Sequence, residues 1–357
     1  MIPLFYFVAL VLLGCVAWLF PALFVKKRFK IERKNLSVAP VDDYFNWKVV
    51  QPTISLPFKK SYAMSMGIRR CAVEDWLLIE NTYLARVNER KRIVKSHKNQ
   101  TVYSHESSFD AIEELYSTVI TFLASRYPKI FYQNDKDASM IQNSITGEEI
   151  PLSTKGTSAD QQLLNLSKSV EEDFLLLIKD PLDNNIYKLR GGVWCFPNGF
   201  DPAEKFNRTM NEIHSPIPHL NEKLGLSIDR FFARMKDGSF VSRNNWAVQT
   251  HSNLFLISNT HSYSHDEIIK PLTLDDVDLS EIYVRSEYQV LTKLPKSDAI
   301  VFTIRAYMFT LSQIKEQGLG NAFCDAIDGL PESFGIYKRR PEWKQVIRDY
   351  LLNTTLV

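Results

Sequence analysis

The sequence has few cysteines, and none of them form a motif. Cys15, Cys71, Cys195 and Cys324 lie far apart, which excludes a C-x-x-C zinc site and a C-x-x-C-H cofactor-attachment site. Isolated thiols suit a reducing compartment and are expected to be free and buried. The glycine-rich signature G-x-G-x-x-G is also missing, so a dinucleotide-binding unit of that type is not expected within the chain. No internal repeat and no low-complexity tract occurs, which excludes repeat architectures and wholesale disorder. A strong charge of one sign is absent too, the net being only +2 over 357 residues. A body without a basic surplus is not expected to bind nucleic acid.

Charge is missing altogether from Ile2 to Val25. Roughly 24 helical residues reach about 36 Å, enough to cross a hydrocarbon core of about 30 Å. Trp18 and Phe20 stand near the charged end, as interfacial aromatics do. Only Met1 precedes the run, and Val25 leads straight into Lys26, Lys27 and Arg28. A cleavable signal peptide has the opposite arrangement, so a single N-terminal transmembrane helix is expected. Between residues 26 and 34, six basic residues face only Glu32. Positive flanks stay on the cytoplasmic side, so the body should be cytosolic, on an endomembrane such as the endoplasmic reticulum, with membrane lipid as one partner. Sequons at Asn35, Asn99, Asn165, Asn207 and Asn353 argue only weakly for a lumenal body.

The whole chain is 45% hydrophobic and 24% charged, the composition of a globular protein with a sizeable core. Periodicity predicts helices over 73–97 and 107–126, a polar surface loop over 134–160, and a hairpin of residues 174–178 with 187–196. Short helices follow over 202–212 and 220–235, with strands over 241–249 and 254–257. A second hairpin pairs 283–294 with 299–309 through Pro295-Lys296-Ser297-Asp298, a turn by composition. Helices over 311–325 and 341–352 close the chain. The class is α+β, with an anchor at 1–25, a basic juxtamembrane linker at 26–60, the main domain at 61–345 and a C-terminal tail at 346–357.

Several segments then occur in a telling order. They are Met66-Gly-Ile68 with Trp76 and Tyr83, Gly191-Gly-Val-Trp-Cys-Phe-Pro197 and Ile213-His-Ser-Pro-Ile-Pro218. Asp229-Arg-Phe-Phe232, Arg243-Asn-Asn-Trp246, Arg285-Ser-Glu287 with Leu291 and Leu294-Pro295, and Phe302-Thr-Ile-Arg305 follow. In order and spacing, residues 60–345 resemble the heme-dependent oxidative N-demethylases, whose best-known members are oxygenase subunits of dimethylamine monooxygenase. Ile217 and His219 depart from the family pattern. The resemblance implies a PAS-like antiparallel sheet with flanking helices and a heme b held by histidine. It also implies O₂ activation and oxidation of a small methylated amine to formaldehyde and the dealkylated amine. With no dinucleotide motif in the chain, electrons would come from a separate donor, an NADPH-dependent reductase or another electron carrier. A non-catalytic heme or ligand sensor and a heme-free scaffold are the alternatives, because a fold does not fix a function.

Candidate site residues follow from these segments. His214 sits between stiffening prolines and suits an iron ligand; it equally suits a histidine packed at a turn. Arg285 and Glu287 share one strand face, as do Thr303 and Arg305 on the partner strand. A tight loop at Pro295–Ser297 would set Glu287 opposite Arg305. The trio then reads as a catalytic polar wall over the heme, as propionate partners, or as a plain cross-strand salt bridge. Arg243 and Trp246 would line the same cofactor cavity, although Trp246 also fits the core. Gly191-Gly192 fits either a close cofactor approach or a β-bulge. His261 and His265, in a polar loop, are expected to be solvated.

Overall fold

A computed structural model describes residues 37–53, 56–258, 260–262 and 267–352. Residues 1–34 and 35–357 form separate units, and everything described lies in the second. The apolar run, the basic cluster and His265 lie outside the described residues. Among the described residues no helix is long and apolar enough to cross a membrane.

The centre is a seven-stranded antiparallel sheet. In chain order its strands are β1 (Arg69–Arg70), β2 (Val102–Ser104), β6 (Asp173–Asp180), β7 (Ile186–Val193), β8 (Phe240–Gln249), β9 (Tyr283–Lys293) and β10 (Ile300–Thr310). They lie in the order β1-β8-β9-β10-β6-β7-β2. β-Branched and aromatic residues fill β9 and β10, and nearly every position is buried on both faces, so the sheet is the middle of three layers.

Helices α5 (Met210–His214) and α6 (Leu220–Arg234) contribute Ile213, Ile228 and Phe232 to one face. These residues pack with Leu175, Leu177, Leu189, Leu291 and Ile304. On the opposite face Trp246, Val248, Val284, Tyr307 and Phe309 meet the C-terminal helices α7 (Leu311–Glu316), α8 (Gly320–Asp328), α9 (Glu332–Tyr337) and α10 (Arg340–Leu352). Phe323, Ile327, Trp343 and Ile347 are the buried residues of that layer. Each such large apolar side chain stabilises the fold by about 2 kcal/mol on burial. Helix α10 carries the packed core to Leu351.

Several expectations change. The helix expected over 73–97 is a short 3₁₀ turn at Val73–Asp75, an irregular stretch, and then α1 (Tyr83–Thr101). Leu78 and Glu80 are committed to bonds with Arg305, which holds this stretch out of the helix. Helix α2 (Phe109–Arg126) forms as expected. The polar segment 134–160 is no bare loop. It holds β4 (Met140–Asn143) and β5 (Glu149–Pro151), which with β3 (Phe131–Gln133) make a small second sheet, and it enters α3 (Ala159–Ser167). Only Ile141 and Ile150 of β4 and β5 are buried apolar residues, too few to show a period. Residues 202–212 break into α4 (Pro202–Lys205) and α5 around Asn207, whose φ is 64°. Residues 254–257 make only one bridge, Leu256 to Asn198.

Gly191-Gly192 belongs to a β-bulge. Leu176 faces Gly191 while Leu177 faces Leu189, leaving Arg190 as the extra residue. A Cβ on Gly192 would lie 2.1 Å from the Phe174 carbonyl oxygen, so strand packing requires the glycine. Among the described residues Cys71, Cys195 and Cys324 are free, the latter two buried.

Candidate functional site

Strand register decides which charged residues meet. Opposed residues share a face and neighbours alternate. Glu287 is opposed by Ala306 on β10 and Asn245 on β8, and Arg305 is opposed by Tyr288. Glu287 and Arg305 therefore lie on opposite faces of the sheet, and the trio expected from the sequence is split. The turn explains this: Leu294 N–H donates to Ala299 at 2.9 Å and Asp298 adopts φ 58°, so the loop holds one residue more than the tight loop assumed. A slip of one residue exchanges every side chain between faces.

Arg305 instead centres a buried knot. Its guanidinium donates to Glu80 at 2.7 Å, Glu171 at 2.6 Å, Glu172 at 2.9 Å and the Leu78 carbonyl at 2.9 Å. Tyr307 Oη donates to Glu80 at 3.0 Å. All three carboxylates are buried. Burial, relieved by Arg305 and reinforced by Glu172 and Glu80, pushes the Glu171 carboxyl up to about 7. This knot has its own partners and faces away from α5.

The other face carries Arg243, Asn245 and Gln249 from β8 and Arg285, Glu287 and Gln289 from β9. Glu287 accepts from Asn198 Nδ2 at 3.1 Å, Asn245 Nδ2 at 3.4 Å and Gln289 Nε2 at 2.9 Å. Arg285 Nε stands 3.7 Å from it. Arg285 also donates to the carbonyls of Phe196, Pro197 and Leu254, clamping the segment after β7 onto the sheet. Trp246 does not join this group: it packs edge-on against Phe323 with ring centres 5.4 Å apart, in the opposite core.

His214 ends α5, whose first turn is closed by a capping box between Thr209 and Glu212. Its Nδ1 is buried and has no hydrogen-bond partner among the described residues. Burial, then Arg243 and Lys205, push its pKa down to about 4, so the ring is neutral at physiological pH and its nitrogens remain available as donors to a metal. His261 is half-buried rather than solvated and stacks on Tyr337 at 4.6 Å; desolvation and the charges of Lys338, Arg285 and Lys205 lower it to about 3. Arg243 is pushed below its ordinary range by burial, against the pull of Tyr62 and Glu287. Asn198 Oδ1, Gln249 Oε1 and Arg243 Nε are further buried atoms without a partner among the described residues.

Arg243, Arg285 and Lys338 thus surround one carboxylate, Glu287. A buried face with surplus cations and orphaned polar atoms matches a ligand that brings negative charge. A carboxylate-bearing planar cofactor fits both features, with His214 as the neutral nitrogen donor and Arg243 as a carboxylate partner. Asn198, Gln249, Lys205 and Lys338 escaped the sequence reading. Asn198 directly follows the Gly191–Pro197 segment and was within reach of it; Lys338 comes from a helix end far along the chain and left no local signal.

The fold and site thus define an α+β protein with a histidine-bearing, cation-rich cofactor face on one side of an antiparallel sheet. A family model described as haem-dependent oxidative N-demethylase, alpha subunit-like, matches residues 67–348. The chain belongs to that family, and membership implies a heme cofactor.

Proposed function

We propose that this chain is a membrane-tethered heme-dependent monooxygenase that N-demethylates a small secondary or tertiary amine, on a PAS-like heme-binding sheet. The observation that carries the reading is His214 Nδ1, buried and without a partner among the described residues, on a helix packed over the sheet face that carries Arg243 and Glu287. Heme, when bound, supplies O₂ activation and oxidation of the methyl carbon. One oxygen atom leaves in formaldehyde and the other in water, with two electrons from an external donor such as an NADPH-dependent reductase.

The chain's own residues do the rest. His214 holds the iron, and Arg243 balances a propionate. Glu287, fixed by Asn198, Asn245 and Gln289, offers an oriented negative charge to a cationic amine, and its fixed donors spare reorganisation on binding. Arg285 positions the Phe196–Asn198 segment and thereby Asn198. Trp246 and Arg305 have no part at the heme; they support the sheet from its other side. The body is cytosolic, tethered by the 2–25 segment, and its other partner is a separate reductase.

Absorption spectroscopy of the purified full chain tests this. A Soret band, with formaldehyde released from dimethylamine in the presence of O₂ and reductant, is expected. A well-folded, heme-supplied protein that stays colourless overturns the reading, and a coloured protein that releases no formaldehyde from any methylamine leaves a sensor.

A further inference from the structure

Lys338 follows α9 and is 6% exposed, yet among the described residues no carboxylate lies within ion-pair distance of its ammonium. Its Nζ donates to the Trp246 carbonyl and stands 3.5 Å from Asn245 Oδ1. The rings of Trp246 and Phe334 lie 5.2 Å away on either count. Strand β1 pairs with β8 only at Val241 and Ser242, so Lys338 reaches the open edge of β8 beyond them. There it touches the core through Trp246 and the candidate site through Asn245, whose own amide donates to Glu287.

We infer that Lys338 is an amine nucleophile that takes a small aldehyde as an imine at the edge of this site. The idea rests on the proposed demethylation for the source of the aldehyde, but not for the reactivity of the amine. Removing an unpaired ammonium from water costs several kcal/mol. Two cation–π contacts, one carbonyl and a long amide contact offset part of that cost, and none of them supplies a counter-charge. Burial therefore dominates and lowers the amine to about 8, with Glu287 pulling it up and Arg243 pushing it down. His261, on which Lys338 and Arg285 both act, is a further titratable group beside it, and Tyr62 stacks on the neighbouring Phe334. An ordinary lysine near 10.4 holds a free-amine fraction on the order of a hundredfold smaller at neutral pH.

In the step, the Nζ lone pair attacks the carbonyl carbon and the C=O pair moves to oxygen. Two protons leave nitrogen with that oxygen as water, and a C=N bond remains. No oxidant or reductant is consumed.

The test uses the purified full chain, limiting formaldehyde and cyanoborohydride at neutral pH, with peptide mass spectrometry of N-methyl groups. Lys338 is expected to be methylated about tenfold faster than the exposed Lys60, the free-amine advantage being partly offset by restricted access. Labelling no faster than at Lys60 overturns the proposal. Lys338→Arg keeps the charge and the donor to Trp246 and should remove the fast site alone; a fast site persisting elsewhere in that variant also overturns it. Should Lys338→Arg fail to fold, the wild-type rate comparison decides by itself. A colourless chain that still labels fast at Lys338 sinks the oxygenase reading and spares this one; a coloured, active chain with an inert Lys338 does the reverse.

Discussion

Single residues in the candidate site are distinguished by which of their atoms are already used. Glu287 has both oxygens engaged by side-chain amides and Arg285 Nε 3.7 Å away, so its carboxylate is held in a fixed orientation. His214 has a buried nitrogen engaged by nothing. The two substitutions should therefore separate binding from turnover. His214→Ala should abolish the Soret band or shift it strongly; an unchanged spectrum would assign the ligand to another histidine. Glu287→Gln keeps the shape and removes the charge. Its heme spectrum should persist, while kcat/KM for the amine falls about ten- to a hundredfold, the worth of one charge-assisted hydrogen bond of about 1.5–3 kcal/mol. Equal turnover in wild type and Glu287→Gln would remove Glu287 from the amine site.

At the scale of elements, α5 is only five residues long and depends on its cap. Thr209 Oγ1 accepts from the Glu212 N–H at 3.2 Å while Glu212 accepts from the Thr209 N–H at 2.8 Å. Thr209→Ala should cost about 1 kcal/mol in urea unfolding, and heme retention should weaken with it because His214 ends this helix. Wild-type stability and heme retention in that variant would mean that packing of Ile213, not the cap, sets the helix. The strong elements were legible because their patterns are long: β9 and β10 run for eleven residues each, rich in β-branched, aromatic and other apolar residues, and α2 repeats an apolar face. What was not legible depends on single residues without a period. Asp298 in a left-handed conformation lengthens the turn and reverses the face of Arg305 relative to Glu287. Leu78 and Glu80 leave helical geometry to meet Arg305. The short strands β4 and β5 bury one isoleucine each. Of the residues expected at the site, His214, Arg243, Arg285 and Glu287 lie on one sheet face or its cover, while Arg305 and Trp246 lie on the other. The members contributed by remote turns, Asn198 and Lys338, needed the fold.

Over the whole molecule the two faces of the sheet hold opposite imbalances, cations on the α5 side and carboxylates around Arg305. Their linkage to pH has opposite signs. His214 and His261 have folded pKa values near 4 and 3, below the ordinary 6.5. The folded state then binds fewer protons than the unfolded chain, so these groups make stability rise with pH up to about 6.5. Glu171 is raised to about 7 from an ordinary value near 4.3. The folded state binds the extra proton, so its contribution is full below about 4.3 and is lost as pH rises through about 7. Glu171→Gln leaves Glu80 and Glu172 to pair with Arg305 and removes the surplus buried charge. It should be neutral or stabilising above pH 7, and its advantage over wild type should shrink as pH falls toward 4. Arg305→Met leaves three buried carboxylates without their cation and should cost about 3–5 kcal/mol at neutral pH, with partial recovery in acid as the carboxylates take up protons. Urea midpoints across pH 4–8 measure both variants. If Glu171→Gln parallels wild type at every pH, Glu171 is ionised throughout, and Arg305 outweighs the burial of all three carboxylates.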